Sequence, residues 1–159
     1  MIVRILIDGY NLLYAWKHVA ADKERYSEAA RDRLIEILRK YADTSLAPIT
    51  LIFDGHSQEC LRKQQIHLDP NFEIIYTSSN QSADQLIERA AFLYSKYGQV
   101  LAVTNDIAIR DTVIACGGTI CSCDNFLLIL QNSFQEISLR VKYHNHQTNN
   151  QFNRRIKRH

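Results

Sequence analysis

Strand-like and helix-like segments alternate along this 159-residue chain, and the alternation predicts an α/β fold. Four short, largely apolar runs predict strands buried on both faces, because their apolar residues are nearly continuous. Amphipathic segments that begin at helix-capping residues separate these runs. Parallel strands connected through helices follow right-handed crossovers. We therefore expect a mainly parallel sheet with helices on both faces.

The first half of the chain predicts three strands and two helices. Ser27 suits a helix N-cap, and apolar residues at helical spacing follow it as far as Asp43. The β-branched run at the N-terminus ends at Asp8-Gly9, and Pro48 and Pro70 precede the next two runs. The predicted strands are residues 2–7, 49–53 and 72–76, and a short helix is expected around residues 12–16.

The second half predicts further strand and helix pairs. Ser82 and Gln85 have the spacing of a capping box, and we expect Gly98 to end the helix that they open. The last dozen residues lack periodicity and are expected to be mobile. The predicted strands are residues 100–103 and 119–121, the predicted helices 107–116 and 125–130, and residues 137–143 alternate as in an edge strand.

Composition indicates a soluble cytoplasmic protein that does not enter a membrane. Hydrophobic residues make up 46% and charged residues 23%. The longest apolar run, residues 126–130, is too short to span a bilayer, and no signal-peptide pattern is present. The four cysteines lack the spacing of a zinc site, so free thiols in a reducing compartment are expected.

The charge is distributed unevenly although the net charge is only +2. Six of the 19 basic residues follow Glu136, and no acidic residue does, which leaves 13 basic against 17 acidic residues elsewhere. An acidic body with a basic tail suits an enzyme that binds cations and a polyanion, but a solvated tail explains it equally well. We expect one domain over residues 1–143 and a basic, flexible tail over residues 144–159.

Four aspartates map to one rim of the predicted sheet. Asp8, Asp54 and Asp106 lie at or just beyond strand ends, and Asp84 lies in the first turn of the helix after the third strand. Each alone could serve a turn or a helix cap. Together they predict a Mg²⁺ or Mn²⁺ site, because crowded carboxylates repel one another and these cations prefer oxygen ligands. In such sheets sites form beyond the carboxyl ends of the strands.

Four further side chains have two open interpretations. Asn11 could hydrogen-bond a phosphate or orient Asp8, and it could equally cap a short helix. Thr104 could donate to a water or a carboxylate, or it could bond a strand or helix end. Glu88 and Asp111 lie one turn or more beyond the helix starts and could reach the acidic group or stay outside it.

Four motifs in this order resemble those of YacP-like NYN domains, a branch of the PIN-like nucleases. The resemblance covers residues 1–135 and implies a PIN-like Rossmannoid three-layer sandwich. It also implies an acidic site at Asp8, Asp84 and Asp106, flanked by Asp54. Two departures are Asn105, where similar proteins often have Ser, and a C-terminal tail without a match. The motifs are Asp8-Gly9-Tyr10-Asn11, Phe53-Asp54-Gly55, Ser82-Ala83-Asp84 and Val103-Thr104-Asn105-Asp106.

The resemblance and the acidic rim together predict a metal-dependent endoribonuclease. We expect it to cleave single-stranded RNA, with mRNA as the substrate, through a water activated by Mg²⁺ or Mn²⁺ and without a small-molecule cofactor. RNA is the expected partner, and the translating ribosome is a further candidate. The alternative is a catalytically inactive PIN-like module that binds RNA or the ribosome. The expected metal ligands are Asp8, Asp84 and Asp106, with Asp54 also catalytic, and the expected RNA contacts are Asn11, Thr104, Arg154 and Arg155.

Overall fold

A computed structural model of the chain describes residues 1–17, 27–55 and 69–156, with side chains described as far as residue 148. Strands and helices alternate through these ranges. The strands are β1 (Ile2–Asp8), β2 (Ile49–Phe53), β3 (Phe72–Tyr76), β4 (Gln99–Val103) and β5 (Thr119–Cys121). The helices are α1 (Gly9–Ala15), α2 (Glu28–Ala42), α3 (Ala83–Tyr94), α4 (Ile107–Ala115) and α5 (Cys123–Ile156).

The described strands form one sheet in the order β3-β2-β1-β4-β5, and all four neighbouring pairs are parallel. The chain first builds outward from β1 through β2 to β3, and then returns to place β4 on the other side of β1. The order therefore reverses between β1 and β4, which is the point where open α/β sheets bind ligands. The predicted α/β fold with a mainly parallel sheet is confirmed.

The central strand β1 carries apolar side chains to both faces of the sheet. Leu6 belongs to a buried cluster with Ile87 of α3 and Val113 of α4. Ile5 and Ile7 point to the opposite face, because successive side chains of a strand alternate. On that face α1 contacts α2, β1 and β2. A β1 strand that is buried from both sides explains why its sequence is nearly continuous in apolar residues.

The two predicted helix starts are confirmed, while one predicted helix end is wrong. The hydroxyls of Ser27 and Ser82 accept hydrogen bonds from backbone N–H groups of the helices they cap, and Ser82 forms the full capping box. Helix α3 ends at Tyr94, before Gly98. Gly98 instead has φ 156°, and a Cβ there would lie 2.5 Å from a methyl group of Val3. A glycine is therefore required at this position, because the backbone of residue 98 passes too close to Val3 of β1 to leave room for a side chain.

Residues 125–130 are helical as predicted, but they belong to a much longer helix, α5. The strand predicted at residues 137–143 is wrong, because the same helix covers that segment. The alternating side chains of residues 137–143 are exposed on α5. Alternation stabilises a strand only where another strand supplies backbone partners, whereas a helix satisfies its backbone groups internally. The backbone is helical as far as Ile156, where the sequence indicated no regular structure.

The chain divides into two compact units, Met1–Phe126 and Leu127–His159. The first unit contains the sheet, helices α1 to α4 and the first turn of α5. The domain limits expected from the sequence, 1–143 and 144–159, stay a prediction. In the described ranges no helix is long and apolar enough to cross a membrane.

Candidate functional site

Asp8 ends the central strand β1 and caps helix α1. Its Oδ1 accepts a hydrogen bond from the backbone N–H of Asn11 at 3.2 Å, and only 8% of the residue is exposed. Burial raises its pKa from the ordinary 3.8 to about 6. The Asn11 N–H lowers the pKa, while the carboxyl groups of Asp84, Asp54 and Asp106 raise it further by charge repulsion. Asp8 is therefore the buried member of an acidic group.

Asp84 lies in the first turn of α3 and is half-buried. Its pKa is raised, first by burial and then by the negative charges of Asp106, Asp54 and Glu88. Glu88 lies one turn further along the same helix, and its Oε1 accepts a hydrogen bond from the hydroxyl of Thr112 at 3.0 Å. The structure therefore brings Glu88 within electrostatic reach of Asp84, which was one of the two open interpretations.

Asp106 caps helix α4 in the loop that follows β4. Its Oδ1 accepts from the N–H of Ala108 at 2.8 Å. Its own N–H donates to the hydroxyl oxygen of Thr104 at 3.1 Å, and Thr104 is almost completely buried. The Thr104 hydroxyl thus accepts a bond at the start of a helix, in line with the second interpretation offered for it.

Asp54 follows β2 and contacts two other elements. Its Oδ1 accepts from the hydroxyl of Thr77, beyond β3, at 3.0 Å and from the N–H of Ala83, the first residue of α3, at 3.3 Å. The Thr77 hydroxyl oxygen also accepts from the N–H of Gly55 at 3.0 Å. These bonds tie the ends of β2 and β3 to the start of α3.

A second group of hydrogen bonds joins the two sides of the switch point. The Oδ1 of Asn11 accepts from the N–H of Asn105 at 2.8 Å and from the thiol of Cys123 at 3.2 Å. The Oδ1 of Asn105 accepts from the N–H of Cys123 at 2.9 Å. The pKa of the Cys123 thiol is raised to about 12. The main cause is burial, and the negative charge of Asp8 is the next largest. Asn11 therefore links the loops after β1 and β4.

The four predicted aspartates meet at one rim, and some other predicted residues do not join them there. Asp111 is exposed, and its carboxyl is not among the charges that act on Asp8 or Asp84. The side chains of Arg154 and Arg155 lie outside the described residues, although the backbone there is helical. Their role as RNA contacts stays a prediction.

Three residues of the site were not predicted from the sequence: Thr77, Asn105 and Cys123. A signal for Thr77 was present, because it directly follows the third predicted strand and so belongs to the same rim. The cysteines were predicted to be free thiols, and Cys123 is indeed a buried free thiol that forms no disulfide. Its contact with Asn11 spans 112 residues and leaves no local pattern.

The donor set suits a hydrated Mg²⁺ or Mn²⁺ ion. In the described part of the chain, no three Asp, Glu, His or Cys side chains are arranged so that they could hold a metal ion. Magnesium keeps several of its own waters and needs only one or two direct carboxylates. The charges of Asp84, Asp54 and Asp106 raise the pKa of Asp8, and those of Asp106, Asp54 and Glu88 raise the pKa of Asp84. A cation held among these carboxylates would remove this repulsion.

A parallel sheet with an acidic rim at its switch point defines a Rossmannoid α/β protein of the PIN-like, nuclease-like class. Within that class the chain belongs to the YacP-like NYN domain family, whose model matches residues 5–159. A curated relative, the uncharacterised protein YacP of Bacillus subtilis, is 28% identical over 139 residues, which are 87% of this chain and 81% of YacP.

Two solved structures confirm the fold. The crystal structure of Rae1 (YacP) from Bacillus subtilis matches with a TM-score of 0.70 and 26% identity, over 89% of this chain and 80% of Rae1. A mutant form of the same protein matches with a TM-score of 0.72 and 26% identity, over 87% and 80% of the two chains. The chain therefore has an RNA-related, nuclease-like fold.

Proposed function

We propose that this protein is a metal-dependent endoribonuclease that cleaves single-stranded RNA, with mRNA as its substrate. One observation carries the proposal. Asp8 is buried at the end of the central strand, beside the switch point. The negative charges of Asp54, Asp84 and Asp106 all raise the pKa of its carboxyl group. Three acids that follow strands and one from the first turn of α3 lie close together there. Separate turn or helix-cap roles for these residues would not require that arrangement.

Asp8, Asp84 and Asp106 are the residues that would hold Mg²⁺ or Mn²⁺, directly or through water, with Asp54 beside them. A bound ion of this kind activates the attacking water and neutralises charge that develops on the phosphate. The N–H of Asn11 fixes the carboxyl of Asp8, and the N–H of Ala108 fixes that of Asp106. Their oxygens are thus held in place before any ligand arrives.

The proposed substrate agrees with the charge distribution of the chain. The segment after Glu136 carries six basic residues and no acid, and we assign contacts with RNA phosphates to it, including Arg154 and Arg155. We also propose a contact of Asn11 with the RNA near the acidic rim, the cytoplasm as the place of action and the translating ribosome as a partner. Thr104 was expected to contact RNA as well, but it is almost completely buried and its hydroxyl accepts from the N–H of Asp106, so we assign it the role of supporting the loop that carries Asp106. Deleting residues 144–159 is expected to reduce the slope of log binding constant against log salt concentration. If this slope does not change, residues 144–159 make no contacts with RNA phosphates.

Cleavage assays with a matched pair of variants test the proposal. Asp8→Asn is expected to abolish cleavage of single-stranded RNA in Mn²⁺, and EDTA is expected to do the same to the wild type. Asp32→Asn removes an exposed carboxyl of α2 and serves as the control, which is expected to cleave normally. Cleavage that survives EDTA, or equal cleavage by Asp8→Asn, would refute the mechanism. RNA binding by the wild type without cleavage would favour the inactive RNA- or ribosome-binding module.

A further inference from the structure

Asp54 differs from the other three aspartates in what its oxygen atoms contact. One oxygen, Oδ1, accepts hydrogen bonds from two separate donors, the Thr77 hydroxyl and the Ala83 N–H. A carboxylate oxygen offers about two lone-pair sites, so both sites of this atom are used within the protein. An oxygen atom in this state is poorly placed to bind a cation as well, so Asp54 could reach a metal ion only through its second oxygen, Oδ2.

Thr77 is itself held firmly against the end of β2. Its N–H donates to the carbonyl oxygen of Phe53 at 2.9 Å, and its hydroxyl oxygen accepts from the N–H of Gly55 at 3.0 Å. The residue is 3% exposed. A Cβ on Gly55 would lie 1.8 Å from the Thr77 carbonyl oxygen, so the two backbones are in direct contact. The hydroxyl that Asp54 accepts from is therefore fixed in position.

The other donor to Asp54 begins the helix that carries Asp84. Ala83 is the first residue of α3, and its N–H is one of the helix-end donors without a partner inside the helix. The Ser82 hydroxyl accepts from the N–H of Gln85, and Asp54 accepts from that of Ala83. The start of α3 is thus attached both to its own cap and to the rim of the sheet, directly before Asp84.

We propose that Asp54 is a positioning residue which, together with Thr77, fixes the first turn of α3 and thereby the carboxyl group of Asp84, and that it is not a ligand of the metal ion. This inference rests on the proposed metal-dependent function. Asp54 thereby differs from Asp8 and Asp106, which accept hydrogen bonds from N–H groups of the helices that they cap. Groups that orient a ligand from behind commonly change metal affinity by about 10- to 100-fold when they are removed.

Manganese binding without RNA tests the inference, with the free Mn²⁺ signal in electron paramagnetic resonance as the readout. Thr77→Val keeps the shape of the side chain but removes the hydroxyl, and we expect it to weaken Mn²⁺ binding about tenfold. Thr77→Ser keeps the hydroxyl and is expected to bind as the wild type does. Thr50→Val is the matched control, because Thr50 is also a buried, hydrogen-bonded threonine but lies within β2 beside Arg4 and Glu73.

Variants of the two aspartates complete the experiment. Asp54→Asn retains an acceptor oxygen and loses a charge, so we expect weakened binding of up to about tenfold, whereas Asp8→Asn is expected to abolish binding. If Asp54→Asn binds Mn²⁺ as poorly as Asp8→Asn does, this inference is overturned while the proposed function stands. The same follows if Thr77→Val binds Mn²⁺ as Thr50→Val does. If Thr77→Val does not fold, the two aspartate variants still decide. A wild type that does not bind Mn²⁺ would refute the proposed function and this inference with it.

Discussion

Replacing Asp8 with Asn is expected to stabilise the metal-free protein while it removes activity. The folded state raises the pKa of this buried carboxyl from 3.8 to about 6. One pKa unit corresponds to about 1.4 kcal/mol, so ionised Asp8 destabilises the folded state by at most about 3 kcal/mol. Asn keeps an oxygen that accepts from the Asn11 N–H and carries no charge. We expect a gain of about 1 to 3 kcal/mol for Asp8→Asn at pH 8.

The gain should depend on pH in a defined direction. Below about pH 4 Asp8 is protonated in both the folded and the unfolded chain, so its burial carries no charge penalty. Between about pH 4 and pH 6 the folded protein retains a proton that the unfolded chain has lost, and wild-type stability falls as the pH rises. Above that window the whole penalty is present. The difference between Asp8→Asn and the wild type should therefore be small at pH 4 and largest at pH 7 to 8.

Urea unfolding in EDTA at pH 4, 6 and 8 measures this difference. Asp32→Asn is the control, and as an exposed substitution it is expected to change stability by less than about 0.5 kcal/mol at every pH. For a chain of this size each kcal/mol corresponds to roughly 2–4 °C in Tm. An Asp8→Asn variant that is less stable than the wild type at pH 8, or whose advantage does not change with pH, would show that ionised Asp8 does not destabilise the folded state.

Three further predictions concern the metal and the packing around the site. Mn²⁺ should raise the Tm of the wild type more at pH 7.5 than at pH 5.5, because protons compete for Asp8, and equal rises in a thermal scan would contradict this. Cys123, buried and with its pKa raised to about 12, should resist iodoacetamide at pH 8 until the protein unfolds; early labelling in peptide mass spectra would count against it. Gly55→Ala should cost about 3 kcal/mol in urea unfolding, because its Cβ would meet the Thr77 carbonyl oxygen at 1.8 Å. Gly117→Ala is the control, because a Cβ there would meet no atom within 4 Å. Only its backbone angle, φ +79°, disfavours a side chain, so this substitution should cost about 1 kcal/mol.

Local sequence signals were sufficient for much of the sheet. The predicted strands 49–53 and 72–76 agree with β2 and β3 residue by residue. Pro48 precedes the first of these strands, and Asp54-Gly55 follows it, so its limits are marked by residues that disfavour continued strand structure. The capping serines likewise identified the starts of α2 and α3, because a helix cap is a contact within a few residues of sequence.

The predicted edge strand at 137–143 failed because strand formation needs a partner. Its alternating residues Ile137, Leu139, Val141 and Tyr143 satisfy the local pattern of a strand. Whether another strand lies beside them depends on the tertiary structure, and the segment is helical within α5. Gly98 was misplaced for a similar reason, since its requirement comes from Val3 of a distant strand and not from the end of α3.

The sequence by itself determined that four aspartates share one rim, because parallel strands all present their carboxyl ends to the same side. Tertiary structure decided what each one does there. The strand order places β1 between β2 and β4, which buries Asp8 among the charges of the other three. Asp54 instead binds Thr77 and the start of α3. The two contacts of Asp54 join residues 23 and 29 positions apart, and the contact between Asn11 and Asn105 joins residues 94 positions apart. Local sequence patterns do not encode contacts over such separations.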